Sequence, residues 1–592
     1  MTSRRILAPL LLLCFSRGAG AITFQDVNIV ATTDVHAWIA GGDRQVKAGT
    51  PALDATFGDL TSFAQRAKAA AAAQGKDLFL VDNGDVVDGT GLSNLAADHC
   101  SYLLPLLQQV PYDALNCGNH ELYDNATMEA FRASGYIDGW HGRYLTSNLY
   151  NASEGEGSPL GARSAVMVGP VTGVRVLTFG FMYDMAPAEG RCAAVGVTPV
   201  AEAVGAAWFT AALGDGSGYD AVLVLAHMDA FEPLIETITA AVRAGPRGAA
   251  LPVLVIAGHS HARKVKSVDA RCTIFEPGNY FNTVGFASFD LPSAAADAAA
   301  AAAAAADDEA EGKASADADA DADAAPAPSF FSLTDIDTSV GSLASALNLT
   351  AGGAGLPTAA GDHVTAAIRS AQAALGLSEV LGCAPQDYLE GPGLDALYVN
   401  TIVPKALFAA NDPPGAGGGG GSSGGGSQWL VQSVGGLRYD LYGGNVTTDD
   451  IYKILPFRDA IKVVHGVQGE HLRAVLQMLN GGGGGGGAGG EGEGAVAEAA
   501  FGWDARRARA GAPCARRGSG GTYGARWIAT DDNPQEGRPY DCYFVSFDAP
   551  KVAAALQNAS GAAVVVEDYA GPGPTTDTDM MIAWAKADLP PC

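Results

Sequence analysis

Cys117-Gly118-Asn119-His120-Glu121-Leu122-Tyr123 closes a short, mostly apolar run, Val110 to Leu115, which reads as a strand. The junction sets an Asn carbonyl oxygen beside a His imidazole. One such pair is ordinary loop chemistry. This one gains weight because four other apolar runs also end in metal-type ligands: Asp34-Val35-His36, Gly84-Asp85, His227 and Gly258-His259-Ser260-His261. Five strand ends, each finishing in Asp, Asn or His, describe one dinuclear metal site with the rest of the chain built to hold it.

Outward from there, Asp26 to Thr33 is largely apolar and β-branched, and Asp34 and His36, two residues apart, can turn toward one point. Helix-prone sequence fills Phe63 to Gln74. Leu78-Phe79-Leu80-Val81 then reads as a buried strand leading to Asp85. A β-helix-β order predicts a parallel sheet covered on both faces, and such sheets gather ligands at the carboxyl ends of their strands. Asp85 is the natural bridge, since one carboxylate reaches two cations. Ala221 to Ala226 leads into His227, and Pro252 to Ala257 into His259 and His261. There Gly258 lets the backbone approach closely while alternate residues face one side.

With 592 residues the chain exceeds what one core holds, so two domains are expected. The net charge of -28 argues against a nucleic-acid polymer or an anionic membrane as partner. Part of that charge sits in Asp297 to Asp323, a low-complexity stretch of nine acids and one lysine. Arg4 and Arg5, then Ile6 to Phe15, then Ala19-Gly20-Ala21, read as a signal peptide over residues 1–21. No other run approaches transmembrane length. Sequons at Asn125, Asn151, Asn348, Asn445 and Asn558 fit a secretory-pathway glycoprotein, secreted or lumenal and vacuolar. Nine cysteines become eight without Cys14, an even number suited to disulfides.

The five blocks resemble the calcineurin-like metallophosphoesterase superfamily, and their order resembles its 5'-nucleotidase branch. The resemblance implies an α/β fold: an N-terminal four-layer α/β/β/α sandwich over residues 22–345, with an Ala/Asp insertion at 294–327. A linker helix region at 346–380 follows, then a smaller α+β substrate-binding domain at 381–592 with Gly-rich insertions at 415–427 and 481–494. It also implies two divalent metal ions of Zn, Mn or Fe type, which imidazole and carboxylate or amide oxygen ligands all suit. Asp34, His36, Asp85 and His261 would hold one; Asp85, Asn119, His227 and His259 the other. His120 would be the catalytic residue, protonating the leaving alkoxide or stabilising transition-state charge. In the second domain, Ser433 to Asp440 and Ile451 to Phe457 resemble the branch's substrate-binding core. That places Arg438 on the substrate phosphate and Phe457 on the base.

The resemblance is uneven. The branch carries an aspartate three residues after the catalytic histidine, where it orients the imidazole. This chain has Tyr123, a neutral phenol expected to matter little, which leaves Asp124, Glu121, a backbone carbonyl or nothing to orient His120. The branch's second base-stacking aromatic has no clear match; Trp527 and Tyr543 stand nearest. The implied activity is hydrolysis of small-molecule phosphate esters, 5'-nucleotides or related phosphomonoesters. A cyclic-nucleotide or nucleotide-sugar phosphodiesterase would use the same residues. A non-catalytic secreted binding glycoprotein would have no need of seven intact ligands.

Overall fold

Alternate residues of the strand Val27–Thr32 enter different cores. Val27, Ile29 and Ala31 pack between two sheets, while Val30 joins the cluster that contains Leu60 and Phe63 of the helix Phe57–Ala72. The next strand, Asp77–Asp82, repeats the division: Phe79 and Val81 go inward, Leu78 and Leu80 toward the helix. Every residue of both strands is buried, as expected where a sheet is covered on both faces.

The computed structural model describes residues 21–42, 53–292, 330–349, 355–411, 427–433, 436–481, 527–530, 534–571 and 573–592. The signal-peptide stretch before residue 21, the Ala/Asp insertion and nearly all of both Gly-rich insertions lie outside the described residues.

Two six-stranded sheets form the first part of the chain. One runs in the order Ser332–Asp337, Thr283–Phe289, Val27–Thr32, Asp77–Asp82, Ala114–Asn116, Tyr144–Leu145. Its last four strands are parallel, and its first two are antiparallel additions. The other runs Arg263–Asp269, Cys272–Pro277, Val253–Ala257, Ala221–His227, Arg175–Met182, Ser164–Val168, parallel at its centre and antiparallel at both edges. The sheets share the apolar layer of Val27, Ile29, Phe79, Leu223, Leu225, Leu254 and Ile256. Helices cover the outer faces, Phe57–Ala72 on one and Pro233–Ala244 on the other. The result is the expected α/β/β/α sandwich.

Two boundaries differ from the sequence reading for identifiable reasons. The helix starts at Phe57, not Phe63, because Thr56 and Asp59 form a reciprocal capping box. The strand before Asn119 spans only Ala114–Asn116. Pro111 lacks an N–H and has a fixed φ, so ladder pairing begins late, at Ala114 opposite Val81.

The second part centres on a five-stranded sheet ordered Trp527–Ala529, Ser427–Ser433, Pro539–Val545, Ile461–Gln468, Glu567–Asp568. Leu472 and Val475, with Val552 and Leu556, bring two helices onto one face through Trp429, Val431 and Phe544. The two parts meet where the helix Thr448–Ile454 packs on the short helix Gly91–Asn94, and Gly91 N donates to Asp449 Oδ1 at 2.9 Å.

The expectation of paired cysteines needs correction. Among the described residues one disulfide forms, Cys383–Cys592, while Cys100, Cys117, Cys192, Cys272 and Cys542 are free thiols buried in apolar surroundings. Buried cysteine behaves as a small hydrophobe, so an even count was no guide to pairing. The sequon at Asn151 is also internal: the side chain is 5% exposed and bonded to Glu154 and Ser153. Asn125, Asn348, Asn445 and Asn558 are exposed.

Candidate active site

All seven residues that the strand-end pattern singled out converge where the two sheets end. Asp34, His36, Asp85 and His261 present ligand atoms within 4.8 Å of one another, and so do Asp85, His227 and His259. Asn119 completes the second group, with Oδ1 2.8 Å from His259 Nδ1 and 3.1 Å from His227 Nε2. Asp85 belongs to both groups.

The backbone that delivers these side chains is strained. Asp34, His36, Asp85, His259 and His261 all sit at positive φ, between 46° and 69°. A non-glycine residue there costs about 1–3 kcal/mol, a cost that persists when the surroundings over-determine the conformation. Close approach adds to it: a Cβ at Gly118 would fall 2.1 Å from Asp85 Oδ1. Buried Glu121, read from sequence only as a possible partner of His120, instead ties the Asp85 and Asn119 loops together. It accepts from Gly118 N at 2.6 Å, Val86 N at 2.7 Å and Asp85 N at 3.0 Å.

The donor chemistry fits a divalent cation. His36 Nδ1 lies 3.0 Å from Val87 O and His227 Nδ1 2.8 Å from Asn83 O, so in the neutral rings Nδ1 carries the proton and Nε2 a lone pair. His36 Nε2 then faces His261 Nε2 across 3.0 Å, while His227 Nε2 faces Asp85 Oδ2 at 3.1 Å and Asn119 Oδ1 at 3.1 Å. Electron pairs this close need positive charge among them. Burial takes His36 and His259 down to about 3, so both are neutral. Burial would also lower His227, but the Asp85 and Asp34 carboxylates override it and lift the imidazole to about 10. A proton there serves one contact; a divalent cation serves all of them.

His120 lies beside both groups. Its ring is 4.6 Å from that of His36 and nearly perpendicular to it, and its backbone N–H donates to Asp85 Oδ1 at 2.8 Å. The partner of its Nδ1 is neither carboxylate expected from sequence. It is Asp88 Oδ2, at 2.9 Å. Asp124 instead caps the helix Asn125–Ala133 through Thr127 N. Asp88 was missed because nothing in a linear reading brings a residue three positions after Asp85 beneath an imidazole thirty-two positions further on.

From the second part of the chain, Arg438 and Phe457 reach the same place. The Phe457 ring lies nearly parallel to His120 at 6.1 Å, and the Arg438 guanidinium stands 5.4 Å over Phe457. Arg438 also bonds to Tyr280, whose ring is 5.5 Å from His36. Trp527 and Tyr543 are buried in the second sheet, Trp527 packing with Trp429 and Tyr543 against Phe408, so neither is the missing base-stacking aromatic.

Comparison with known proteins agrees with this geometry. Residues 27–263 match the calcineurin-like phosphoesterase family, and residues 423–508 match the C-terminal domain of NAD nucleotidase. An uncharacterized protein of Schizosaccharomyces pombe is 26% identical over 475 residues, covering 77% of this chain and 72% of the relative. A secreted protein of Arthroderma benhamiae is 24% identical over 496 residues, 81% of this chain and 71% of the relative. Among solved structures, the 5'-nucleotidase of Candida albicans aligns with a TM-score of 0.71 at 22% identity, covering 96% of this chain and 98% of that one. A sulfate thiohydrolase of Thermus thermophilus aligns at 0.57 and 14% identity, over 96% and 95%. Residues 27–263 therefore form a calcineurin-like phosphoesterase domain, and the protein is a metal-dependent phosphoesterase. Its two-part fold is like that of the 5'-nucleotidase structure.

Proposed function

We propose that this protein releases phosphate from 5'-nucleotides or closely related phosphomonoesters, using two divalent cations. The observation that carries the reading is Asp85, shared by two groups of buried ligand atoms that converge within 4.8 Å. Asp34, His36, Asp85 and His261 would hold one ion, and Asp85, Asn119, His227 and His259 the other. Such ions supply Lewis acidity, polarising phosphoryl oxygens and making water a nucleophile at neutral pH.

The chain's own groups do the rest. Arg438 grips the phosphoryl oxygens with a planar fork from the second domain. His120, its Nδ1 turned to Asp88, presents Nε2 to the leaving oxygen and donates a proton to it. Phe457 offers an aromatic face beside them for the base. The fold alone does not select the substrate, since a sulfate thiohydrolase shares it. The match of residues 423–508 to a nucleotidase C-terminal domain favours a nucleotide over a sugar phosphate. The same match supports a second reading, a nucleotide phosphodiesterase that cleaves a phosphate bridge with the same residues. A destination in the secretory pathway is part of the proposal, supported by the similar secreted protein and by the N-terminal sequence. No described helix is long and apolar enough to cross a membrane.

Metal analysis of purified protein, followed by phosphate release from 5'-nucleotides, cyclic nucleotides, dinucleotides and sugar phosphates, tests the proposal. Two divalent ions per chain and a preference for 5'-nucleotides are expected. Absence of tightly bound metal with no hydrolysis of any ester would overturn it.

A further inference from the structure

Three of the seven candidate ligands, His227, His259 and His261, come from the second sheet, where Ala221–His227 and Val253–Ala257 end. The two turns that follow these strands touch through one backbone bond, Gly258 N to Met228 O at 3.1 Å. A second tie comes from a third strand. Glu276, fully buried on Cys272–Pro277, accepts from Ala230 N at 3.3 Å with Oε2 and from Ala262 N at 3.3 Å with Oε1. Its Oε1 also takes the hydroxyl of Ser260 at 2.5 Å. Ser260 stands between His259 and His261 and is 6% exposed. Lys264 completes the arrangement from the neighbouring strand, where it is the register partner of Glu276. Its Nζ donates to Ser260 Oγ at 2.7 Å and to Asp229 Oδ2 at 2.6 Å, and lies 4.0 Å from Glu276 Oε2.

We infer that Glu276, Ser260 and Lys264 are positioning residues that hold His227 and His259 at a fixed spacing, and so set the affinity for the divalent ion on the Asn119 side. This rests on the two-ion reading above. A buried charge is costly unless it is paired and hydrogen-bonded, and the partners of Glu276 are not scattered. They lie on the turn after His227 and on the run from Ser260 to Lys264. The Ser260 hydroxyl is the link between the two charges, since its proton goes to Glu276 and its lone pair accepts from Lys264. His259 and His261 on either side of it sit at φ of 69° and 58°. Residues in that region stay there only when their surroundings hold them, and Ser260 is where one hold acts on both.

The clamp weighs unequally on the two ions. The ion on the Asn119 side would take two ligands, His227 and His259, from the braced turns, and the other would take only His261. Glu121 ties the Asp85 and Asn119 loops of the first sheet in the same manner. Each sheet thus braces its own ligand turns with one buried glutamate, and the ions would join the two braced halves.

The test measures metal binding directly. Competition against a chelator, with Mn²⁺ or Zn²⁺ as the probe, gives stepwise affinities for wild type, Ser260→Ala, Ser260→Thr and Glu276→Gln. Ser260→Ala is expected to weaken one step about 10–100-fold, the usual effect of losing a ligand's supporting contact, and the other step less. Asn119→Ala marks the step concerned, since it should weaken the same one. Ser260→Thr keeps the hydroxyl and is expected to stay close to wild type. Glu276→Gln, of the same shape, is expected to weaken the same step as Ser260→Ala, and it decides the point if Ser260→Ala does not fold. Unchanged affinities, equal losses at both steps, or a loss in Ser260→Thr as large as in Ser260→Ala would overturn the assignment. A second readout needs no metal: amide hydrogen exchange of the metal-free protein. The Ala230 and Ala262 amides are expected to be protected in wild type. In Glu276→Gln one oxygen becomes an amide nitrogen that cannot accept, so one of the two amides should lose its protection. If both exchange as in wild type, the clamp fails. If exchange behaves as expected while wild type binds no divalent ion, the clamp stands as a brace of these turns and the two-ion reading fails.

Discussion

The Tyr123 phenol oxygen accepts a hydrogen bond from the Asn119 amide nitrogen at 2.8 Å, which leaves Asn119 Oδ1 aimed between His227 and His259. The sequence reading gave Tyr123 little importance because it was weighed only as a substitute carboxylate. Its contact instead fixes which end of the amide faces the ligand cluster. Tyr123→Phe is therefore expected to weaken binding of the ion on the Asn119 side about 10–100-fold, the usual effect of losing a ligand's hydrogen-bond partner. Metal titration with activity as readout checks this; unchanged affinity would leave Tyr123 a packing residue.

Asp85 belongs to both groups of converging ligand atoms. Asp85→Asn is expected to abolish phosphate release and to lower bound metal, because it removes charge from both ligand groups at once. Elemental analysis beside a phosphate assay decides the point. Retention of two ions with near wild-type turnover would show that the ligand assignment is wrong.

For His120, the leaving group separates its roles. His120→Ala is expected to cost about 10²–10⁴ in turnover on alkyl phosphates while metal content stays, since Asn119 rather than His120 faces the ligand atoms. p-Nitrophenolate needs little protonation, so its ester should suffer less. Equal losses would leave His120 as an electrostatic or phosphate-positioning group.

Asp548 gives the second domain a pH signature. Burial raises its carboxyl to about 6 although Ser433 N donates to it at 2.7 Å. A carboxylate with a folded pKa above its unfolded value near 3.8 favours the folded state while protonated. That stabilisation is present below about pH 4 and is lost as pH rises through 6. The loss is at most about 3 kcal/mol. Asp548→Asn cannot ionise, so its stability relative to wild type should increase between pH 4 and 7. Denaturant melts at several pH values measure this, and a pH-independent difference would contradict it.

The Ala/Asp insertion at 294–327 joins two strands already paired, Ser288 opposite Ser332 in an antiparallel ladder. The strand ends that flank it are therefore neighbours, and a short turn can join them. Deleting 294–327 is expected to leave thermal stability and turnover nearly unchanged, since the run offers no apolar face to bury. A large loss of soluble folded protein would show that it packs.

The convergence of the candidate ligands was legible because they obey a local rule. Each ends a strand, and strand ends of parallel sheets gather at one edge, so Asp34, Asp85, His227 and His259 announce themselves without knowledge of the packing. Asp88, Glu121 and Tyr123 obey no such rule. Their roles depend on which loop lies over which: Glu121 bonds back to a segment thirty-six residues earlier, and Asp88 forward to one thirty-two residues later. Nearness in sequence pointed to Asp124 for His120, but that carboxylate is taken by a helix start. Cysteine pairing was not legible for a related reason, because a count of thiols carries no information about which of them the core encloses.

The turn Gly91–Asn94 has two tenants. On one side Asn94 and Ser93 brace Asp88, and on the other Gly91 N takes Asp449 from the second domain at 2.9 Å. The acid and the distant half of the protein thus lean on a single four-residue post. Under the proposed activity, movement of the second domain would pass through this post to Asp88 and His120, so that grip on one end of a substrate would be felt where the phosphate leaves. In such an arrangement a truncated substrate should lose reaction rate as well as affinity, because remote contacts help set the proton donor.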